Sequence, residues 1–149
     1  MTASKVTLGK RPGSIKASVI GPMADGSTAV LSVSYKYRTR TEYGELLEKH
    51  QRETRTRSED RLRSYLAAVD AAKKAGADIP SPMDDGVSRS TKEQVAADAR
   101  FLLDIADGWD LDIPYDLDGL IQLCDECPGV ATAMIEKYRI AVNEGRLGN

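Results

Sequence analysis

Apolar and polar residues alternate in two short stretches near the start of the chain. The apolar positions are Ile15, Ala17 and Val19, and then Leu31, Val33, Tyr35 and Tyr37. A period of two is typical of strands with one covered face. Between the stretches, Asp25-Gly26 supplies a glycine that can adopt the positive φ of a tight connection. The pattern predicts an antiparallel hairpin within residues 14–40, after a polar leader over residues 1–13.

A helical spacing begins directly after the second strand. Thr39 and Glu42 have the spacing of a capping box, and Thr41 is an alternative cap. The apolar stripe pauses over residues 48–61, which contain no apolar residue, and it resumes before Gly76, a C-cap glycine. Acids precede bases by four residues at Glu45/Lys49, Glu48/Arg52, Glu53/Arg57 and Glu59/Arg63. These pairs favour one exposed helix over residues 41–76, with a flexible joint as the alternative.

Proline, glycine and aspartate are concentrated in the segment ADIPSPMDDGVS, which predicts a loop over residues 77–90. Ser90 and Glu93 then have the spacing of a capping box for a helix that ends near Gly108. The following stretch, WDLDIPYD, is irregular. These signals place the start of a mainly helical C-terminal part at residue 91.

Two short helices complete residues 91–149. Asp116 is suited to cap the first, which continues to about Cys124. Pro128 fits the first turn of the second, where a missing N–H costs nothing, and Gly145 ends it. The predicted fold class is therefore α+β, with an N-terminal hairpin and a mainly α-helical remainder in one domain over residues 1–149. A hairpin is marginal alone, so helices must cover its apolar face or another chain must pair with its edge.

Composition supports a soluble globular domain. The 149 residues are 41% hydrophobic and 30% charged, and a chain of this size can bury a core without disulfides. No apolar run is long enough to span a bilayer, and the first residues lack the apolar stretch of a secretory signal. We expect a cytosolic protein with no membrane partner.

Charge is unevenly distributed and points to nucleic-acid binding as the main alternative function. Residues 36–63 contain nine Lys or Arg, but six acids are interleaved with them. Phosphate neutralisation drives binding of this kind, and carboxylates oppose it. The sequence pI of about 5.5 is also low for such a domain. A small nucleic-acid-binding or regulatory protein that uses this segment remains the alternative, and nucleic acid is not the favoured partner.

Candidate catalytic and metal-binding residues have simpler structural explanations. Cys124 and Cys127 form a CxxC pair, but a zinc site needs two further ligands, and the one histidine, His50, lies far away in sequence. We interpret Cys124 as a core residue. The aspartates of residues 110–118 lack the glycine and glutamate of a calcium-binding EF-hand loop. No nucleophile–base pairing or phosphate-binding loop is visible, so we expect no enzyme activity and no cofactor.

Several segments resemble those of tail assembly chaperones of tailed bacteriophages, in the same order over most of the chain. They are KRPGSIKASV (residues 10–19), YKYRTRTEYGEL (35–46), GWDLD (108–112), the Pro128-Gly129 helix start and GRLGN (145–149). The resemblance implies a non-catalytic phage or prophage protein of the host cytoplasm that is absent from the mature virion. It implies binding to the tape measure protein, which is kept soluble while the tail tube assembles. The tail tube protein and further copies of the chain are additional partners that it implies.

Two surfaces are candidates for contact with a largely helical tape measure protein. Their residues are Tyr35, Tyr37, Arg38 and Arg40 beside the hairpin edge, and Val130, Met134 and Tyr138 on the last helix. Strand addition at the edge and helix-on-helix packing are the corresponding binding modes. The helix stripe is more simply explained as the domain's own core, so the hairpin edge is the favoured surface.

Overall fold

The computed structural model describes residues 3–82 and 87–145 and has seven elements in these ranges. They are β1 (Ile15–Pro22), β2 (Thr28–Tyr35), α1 (Arg40–Ala75), α2 (Val87–Ile105), β3 (Ala106–Trp109), α3 (Leu117–Glu126) and α4 (Pro128–Glu144). An antiparallel sheet is thus combined with a mainly helical remainder, which confirms the predicted α+β class. Of the loop over residues 77–90, residues 83–86 lie outside the described residues, as do the first two residues and the last four, RLGN.

The predicted hairpin is formed by β1 and β2, which pair from Ile15 with Tyr35 to Pro22 with Thr28. Gly26 has a φ of 83°, and the Asp25 carboxylate accepts a hydrogen bond of 2.9 Å from the backbone N–H of Ser27. The turn therefore uses the positive φ that glycine adopts at little steric cost. The inward residues of both strands are buried, as the alternation predicts.

A third strand joins the sheet and was not predicted. β3 pairs antiparallel with β2, with Val33 opposite Trp109 and Tyr35 opposite Ala106. The strand order is β1-β2-β3, so β2 is central and its second edge is covered within the chain. The expectation that the edge beside Tyr35 is open for strand addition is therefore wrong, because β3 pairs there. Of the two edges of β1, the one away from β2 pairs with no strand of the described residues. The segment over residues 91–149 is also not wholly helical, because it contains β3.

α1 is continuous over 36 residues, which confirms the exposed-helix interpretation of residues 48–61. It begins with the predicted capping box, in which Thr39 Oγ1 accepts from the N–H of Glu42 and the Glu42 carboxylate accepts from the N–H of Thr39. It ends at Gly76, which has a φ of 66°. Of the four predicted acid–base pairs, Glu48 and Arg52 approach within 4.0 Å. Lys49 instead pairs with Asp104 of α2.

α2 begins and ends earlier than its sequence pattern suggests. Val87 to Ser90 are already helical, so Ser90 lies inside the helix and the predicted capping box at Ser90 is wrong. The helix stops at Ile105, before Gly108, because the next residues pair with β2. The C=O of Ile105 accepts a hydrogen bond of 2.8 Å from the N–H of Lys36. Competition from the sheet thus sets the end of this helix.

The last two helices follow the predictions closely. Asp116 caps α3 through a hydrogen bond of 2.8 Å from the N–H of Gly119, and Pro128 occupies the first turn of α4. Gly145 ends α4 with a φ of 72°. α4 packs on β1 and β2, while α3 packs on α2 and α4. The buried core is mainly aliphatic and lies between the sheet and these three helices.

Candidate functional site

The junction between β2 and α1 gathers most of the residues that the sequence singles out. Tyr138 of α4 donates from its hydroxyl to the C=O of Lys36 at 2.9 Å. Arg38 Nη1 donates to the same hydroxyl at 3.3 Å. These bonds hold the connecting residues against α4, since a backbone carbonyl that leaves the sheet needs another partner. The junction is therefore built by tertiary contacts as well as by the helix cap.

Three tyrosines pack together beneath the junction. The Tyr35 and Tyr138 rings are stacked with centroids 5.4 Å apart, and Tyr43 meets Tyr138 edge-on at 5.6 Å. The Tyr35 hydroxyl donates to the C=O of Met134 at 2.8 Å. Burial raises the pKa of Tyr35 and of Tyr138 above their ordinary value. These hydroxyls stay protonated at neutral pH and act as hydrogen-bond donors.

Four of the seven candidate partner-binding residues lie in the chain's own core. Tyr35, Met134 and Tyr138 are 0% exposed, and Val130 is 3% exposed. In this conformation their side chains present no surface to a partner. The other three behave differently: Tyr37 and Arg38 are half-buried, and Arg40 is exposed. The candidate surface is thus reduced to the junction residues 37–40.

Arg11 of the leader contacts this junction and the first turn of α1, and we call these contacts the Arg11 clamp. Arg11 donates two hydrogen bonds to the Glu42 carboxylate, at 2.7 and 2.8 Å, and its guanidinium lies 5.2 Å from the centroid of the Tyr37 ring. The hydrogen bonds from Arg11, followed by the one from the N–H of Thr39, lower the pKa of Glu42 to about 2. Glu42 therefore serves both the helix cap and the leader. The capping-box spacing alone could not reveal its second role.

Two adjoining depressions open beside the junction and share Arg40 and Asn143 as lining residues. We call them together the Arg40 groove. Their other lining residues are Pro12, Ile15, Tyr37, Arg38, Thr39, Thr41, Tyr43, Gly44, Leu47, Arg139, Ala141, Val142, Glu144 and Gly145. The volumes are about 520 and 560 Å³. The lining combines apolar side chains of α4 with three arginines and one carboxylate, that of Glu144. An amphipathic segment with acidic flanks fits such a lining.

Beyond the junction, α1 lies beside α2 and runs in the opposite direction. We call residues 48–75 of α1 the arm. Of α1, whose residues are all described, Tyr43 and Leu46 are buried. Farther out, His50 Nε2 lies 2.9 Å from Asp104 Oδ2, and Arg61 forms an ion pair with Glu93. Burial acts to raise the pKa of Asp104, but hydrogen bonds from His50 and Lys49 outweigh it and lower the pKa. Polar pairs thus form much of the contact between α1 and α2, together with the edge-on contact of the His50 and Phe101 rings, whose centroids are 5.0 Å apart.

Several cations of residues 36–63 are paired with nearby carboxylates. Lys49 pairs with Asp104 at 3.2 Å, Arg63 with Asp60 at 3.0 Å, and Arg61 with Glu93. Such pairing lowers the local positive potential on which phosphate binding depends. The tertiary arrangement therefore weighs against the nucleic-acid alternative.

Cys124 is a buried core residue, as predicted, with 6% of its surface exposed. Burial, followed by the charge of Asp98, raises the pKa of its thiol to about 12. A thiol of this kind is a poor nucleophile and a poor metal ligand. Within residues 3–82 and 87–145, no group of three or more His, Cys, Asp or Glu is arranged to hold a metal ion.

The acidic loop before α3 has structural uses. Asp110 accepts a hydrogen bond of 2.9 Å from the N–H of Ser32, so it extends the contact between β3 and β2. Trp109 donates from its indole N–H to the C=O of Ile113 at 2.8 Å and meets Tyr115 edge-on. Through these contacts, the GWDLD segment forms the end of β3 and the start of the connection to α3, which Asp116 caps.

The chain is similar to a known protein family over its whole length. A family model described as phage tail assembly chaperone matches residues 1–149. No curated protein and no solved structure matches the chain. Among the residues that the structure describes, no helix is long and apolar enough to cross a membrane.

Proposed function

The chain belongs to the phage tail assembly chaperone family, and from this premise we propose that it binds the tape measure protein and keeps it soluble while the tail tube assembles. The observation that carries the proposal is the full-length family match. Tail assembly chaperones are generally non-catalytic. The proposed place of action is the host cytoplasm, with release before the virion is complete. The tail tube protein is a second proposed partner.

The Arg40 groove is the proposed contact surface for the tape measure protein. It retains Tyr37, Arg38 and Arg40 from the candidate residues, while the four buried candidates pack in the core beneath the junction. Leu47, at 37% exposed, supplies an apolar contact at one end. A partner helix with an apolar stripe would bury that surface, and acidic residues beside the stripe would face the arginines of the groove.

Coexpression tests this proposal directly. With the tape measure protein of the same phage, the wild-type chain should raise the soluble fraction of that protein and be recovered with it on affinity purification. Arg40→Glu should reduce both, because it places a like charge against an acidic helix flank. Arg55→Glu is the matched control, since Arg55 is also an exposed arginine of α1 but lies outside the groove.

Three outcomes are informative about the proposal. A tape measure protein that stays insoluble with the wild-type chain would refute the chaperone activity. Equal losses with Arg40→Glu and Arg55→Glu would refute the groove as the contact surface. Retention of the purified chain on a DNA or RNA column at low salt, with release as salt rises, would favour the nucleic-acid alternative instead.

A further inference from the structure

The outer edge of the sheet at β1 lacks, in its middle, the usual protection against pairing. Edge strands of natural proteins commonly carry charged residues or proline, which oppose the addition of another strand. In β1, Lys16 lies near the start and Pro22 at the end, while the residues between them, ASVIG (17–21), are uncharged. A stretch of five residues is therefore open to pairing.

The outer face beside this edge carries two exposed apolar side chains. Ile20 is 64% exposed and Val30 is 66% exposed, and the two lie opposite each other in the β1–β2 register. Neighbouring apolar side chains on one face of a sheet stabilise strand pairing. An added strand beside β1 with apolar residues on the same face would lie next to Ile20, and Val30 would continue the apolar face on the other side of Ile20.

The leader of the chain has the sequence pattern of such a strand. Val6 and Leu8 are two residues apart and are 89% and 90% exposed. Residues 3–14 are all exposed, and none of them belongs to a helix or strand. When extended, the segment KVTL (5–8) places Val6 and Leu8 on one side, and Gly9, with a φ of 78°, ends it. We propose that the leader of one copy adds as a fourth strand to the β1 edge of a second copy of this chain.

The anchoring of the leader argues against pairing with its own β1. Arg11 is held by Glu42 and Tyr37, which follow β2, and Ser14 donates from its hydroxyl to Asp107 of β3. These contacts draw the leader toward β2 and β3, on the side of β1 opposite its free edge. Residues 3–10, beyond the Arg11 anchor, can extend about 26 Å. This length is sufficient to reach a neighbouring molecule.

The proposed contact joins two different surfaces, the leader and the β1 edge, so the kinds of oligomer that it can form are predictable. A reciprocal exchange of leaders gives a closed dimer, whereas a one-way exchange gives a ring or an open chain. Each contact uses one leader and one edge. This inference concerns self-association and does not depend on the proposed binding of the tape measure protein.

Mass measurement by light scattering or sedimentation over a range of concentrations tests the contact. The wild-type chain should self-associate, and the double variant Val6→Asp with Leu8→Asp should raise the dissociation constant by about tenfold or more. Ile20→Lys should do the same from the other side of the contact. Val87→Asp is the control, because Val87 is an equally isolated apolar side chain, 81% exposed at the start of α2.

Mixing the two defective variants provides the decisive measurement. The leader variant keeps an intact edge and the Ile20→Lys variant keeps an intact leader, so their mixture should form a complex of two chains. A monomeric wild-type chain at all concentrations, which is the result if the leader folds back on its own β1, would overturn the proposal. Normal self-association of the leader variant would also overturn it. The two substituted residues of that variant lie outside every helix and strand, so misfolding of the core cannot explain a loss of association.

Discussion

The contact between β1 and α4 depends on two glycines and supports a specific prediction. Gly129, the second residue of α4, faces Pro22 at the end of β1. A Cβ atom on Gly129 would lie 2.7 Å from Pro22 Cγ and 2.8 Å from Pro22 O. Gly21 faces the same helix, and a Cβ atom there would lie 2.9 Å from Val130 Cα. Gly129→Ala therefore inserts a methyl group where backbone atoms already touch.

The sign and size of the effect follow from this geometry. Favourable carbon contacts lie at about 3.5–4.0 Å, and a backbone carbonyl and a proline ring cannot rotate away. α4 must shift from β1, which disturbs the packing of the helix on the sheet. Overpacking of this kind costs about 1–3 kcal/mol. For a chain of this length, such a loss should lower Tm by about 3–9 °C.

Gly44→Ala is the matched control with the opposite expected sign. Gly44 lies inside α1, and a Cβ there would meet no heavy atom within 4 Å outside its own helix backbone. Alanine should stabilise the helix by about 0.5–1 kcal/mol, because glycine loses more backbone entropy on folding. Urea unfolding followed by circular dichroism, with a thermal scan, measures both variants. A Gly129→Ala protein at least as stable as the wild type would refute the steric reasoning.

Three further predictions concern the junction and the cysteines. Tyr138→Phe should lower the free energy of unfolding by about 1–3 kcal/mol, since it leaves the C=O of Lys36 without its donor; urea titration checks this, and a neutral effect would contradict the assigned hydrogen bond. The pKa of Glu42 is lowered to about 2 from 4.5, so its stabilising contribution is present above pH 4.5 and is lost as pH falls through the folded pKa. Wild type should accordingly exceed Glu42→Gln in stability at pH 6 and converge with it near pH 2, and a difference that is constant with pH would count against the clamp. Finally, a thiol reagent at pH 8 should modify half-buried Cys127 well before buried Cys124, while both should react alike in denaturant; equal rates in the folded protein would mean that Cys124 is accessible.

The arm and the core differ in how strongly they are held in the folded protein. Arg61 with Glu93, and His50 with Asp104, connect α1 and α2 through long or charged side chains. The buried residues of α1, Tyr43 and Leu46, both lie before the arm, so the arm is held by less buried apolar surface than the core around the three tyrosines. Leu62 and Leu66, at 58% and 55% exposed, lie one turn apart on this arm. Substitutions there should affect global stability less than substitutions at the junction.

The features that could be predicted from the sequence all depend on local chemistry. The alternation through Ile15 to Val19 and the positive-φ glycine at Gly26 specify the hairpin, because both act over a few neighbouring residues. Helix ends are marked for the same reason, since a cap satisfies backbone groups within one turn; the marking residues are Thr39 with Glu42, Asp116, Pro128 and Gly145. The family resemblance also comes from the order of such local segments, and the whole-chain family match confirms it.

Packing between distant segments determines which surfaces are left exposed. β3 has a short and weakly apolar sequence, ADGW, and it becomes a strand because β2 offers it an open edge. This pairing covers the edge beside Tyr35, ends α2 at Ile105 and leaves the outer edge of β1 free. Likewise, the apolar stripe of α4 looks the same in sequence whether it faces a partner or the core, and contact with the sheet buries Met134 and Tyr138. Contacts between residues about 70 to 100 positions apart leave no local pattern, so packing alone determines them.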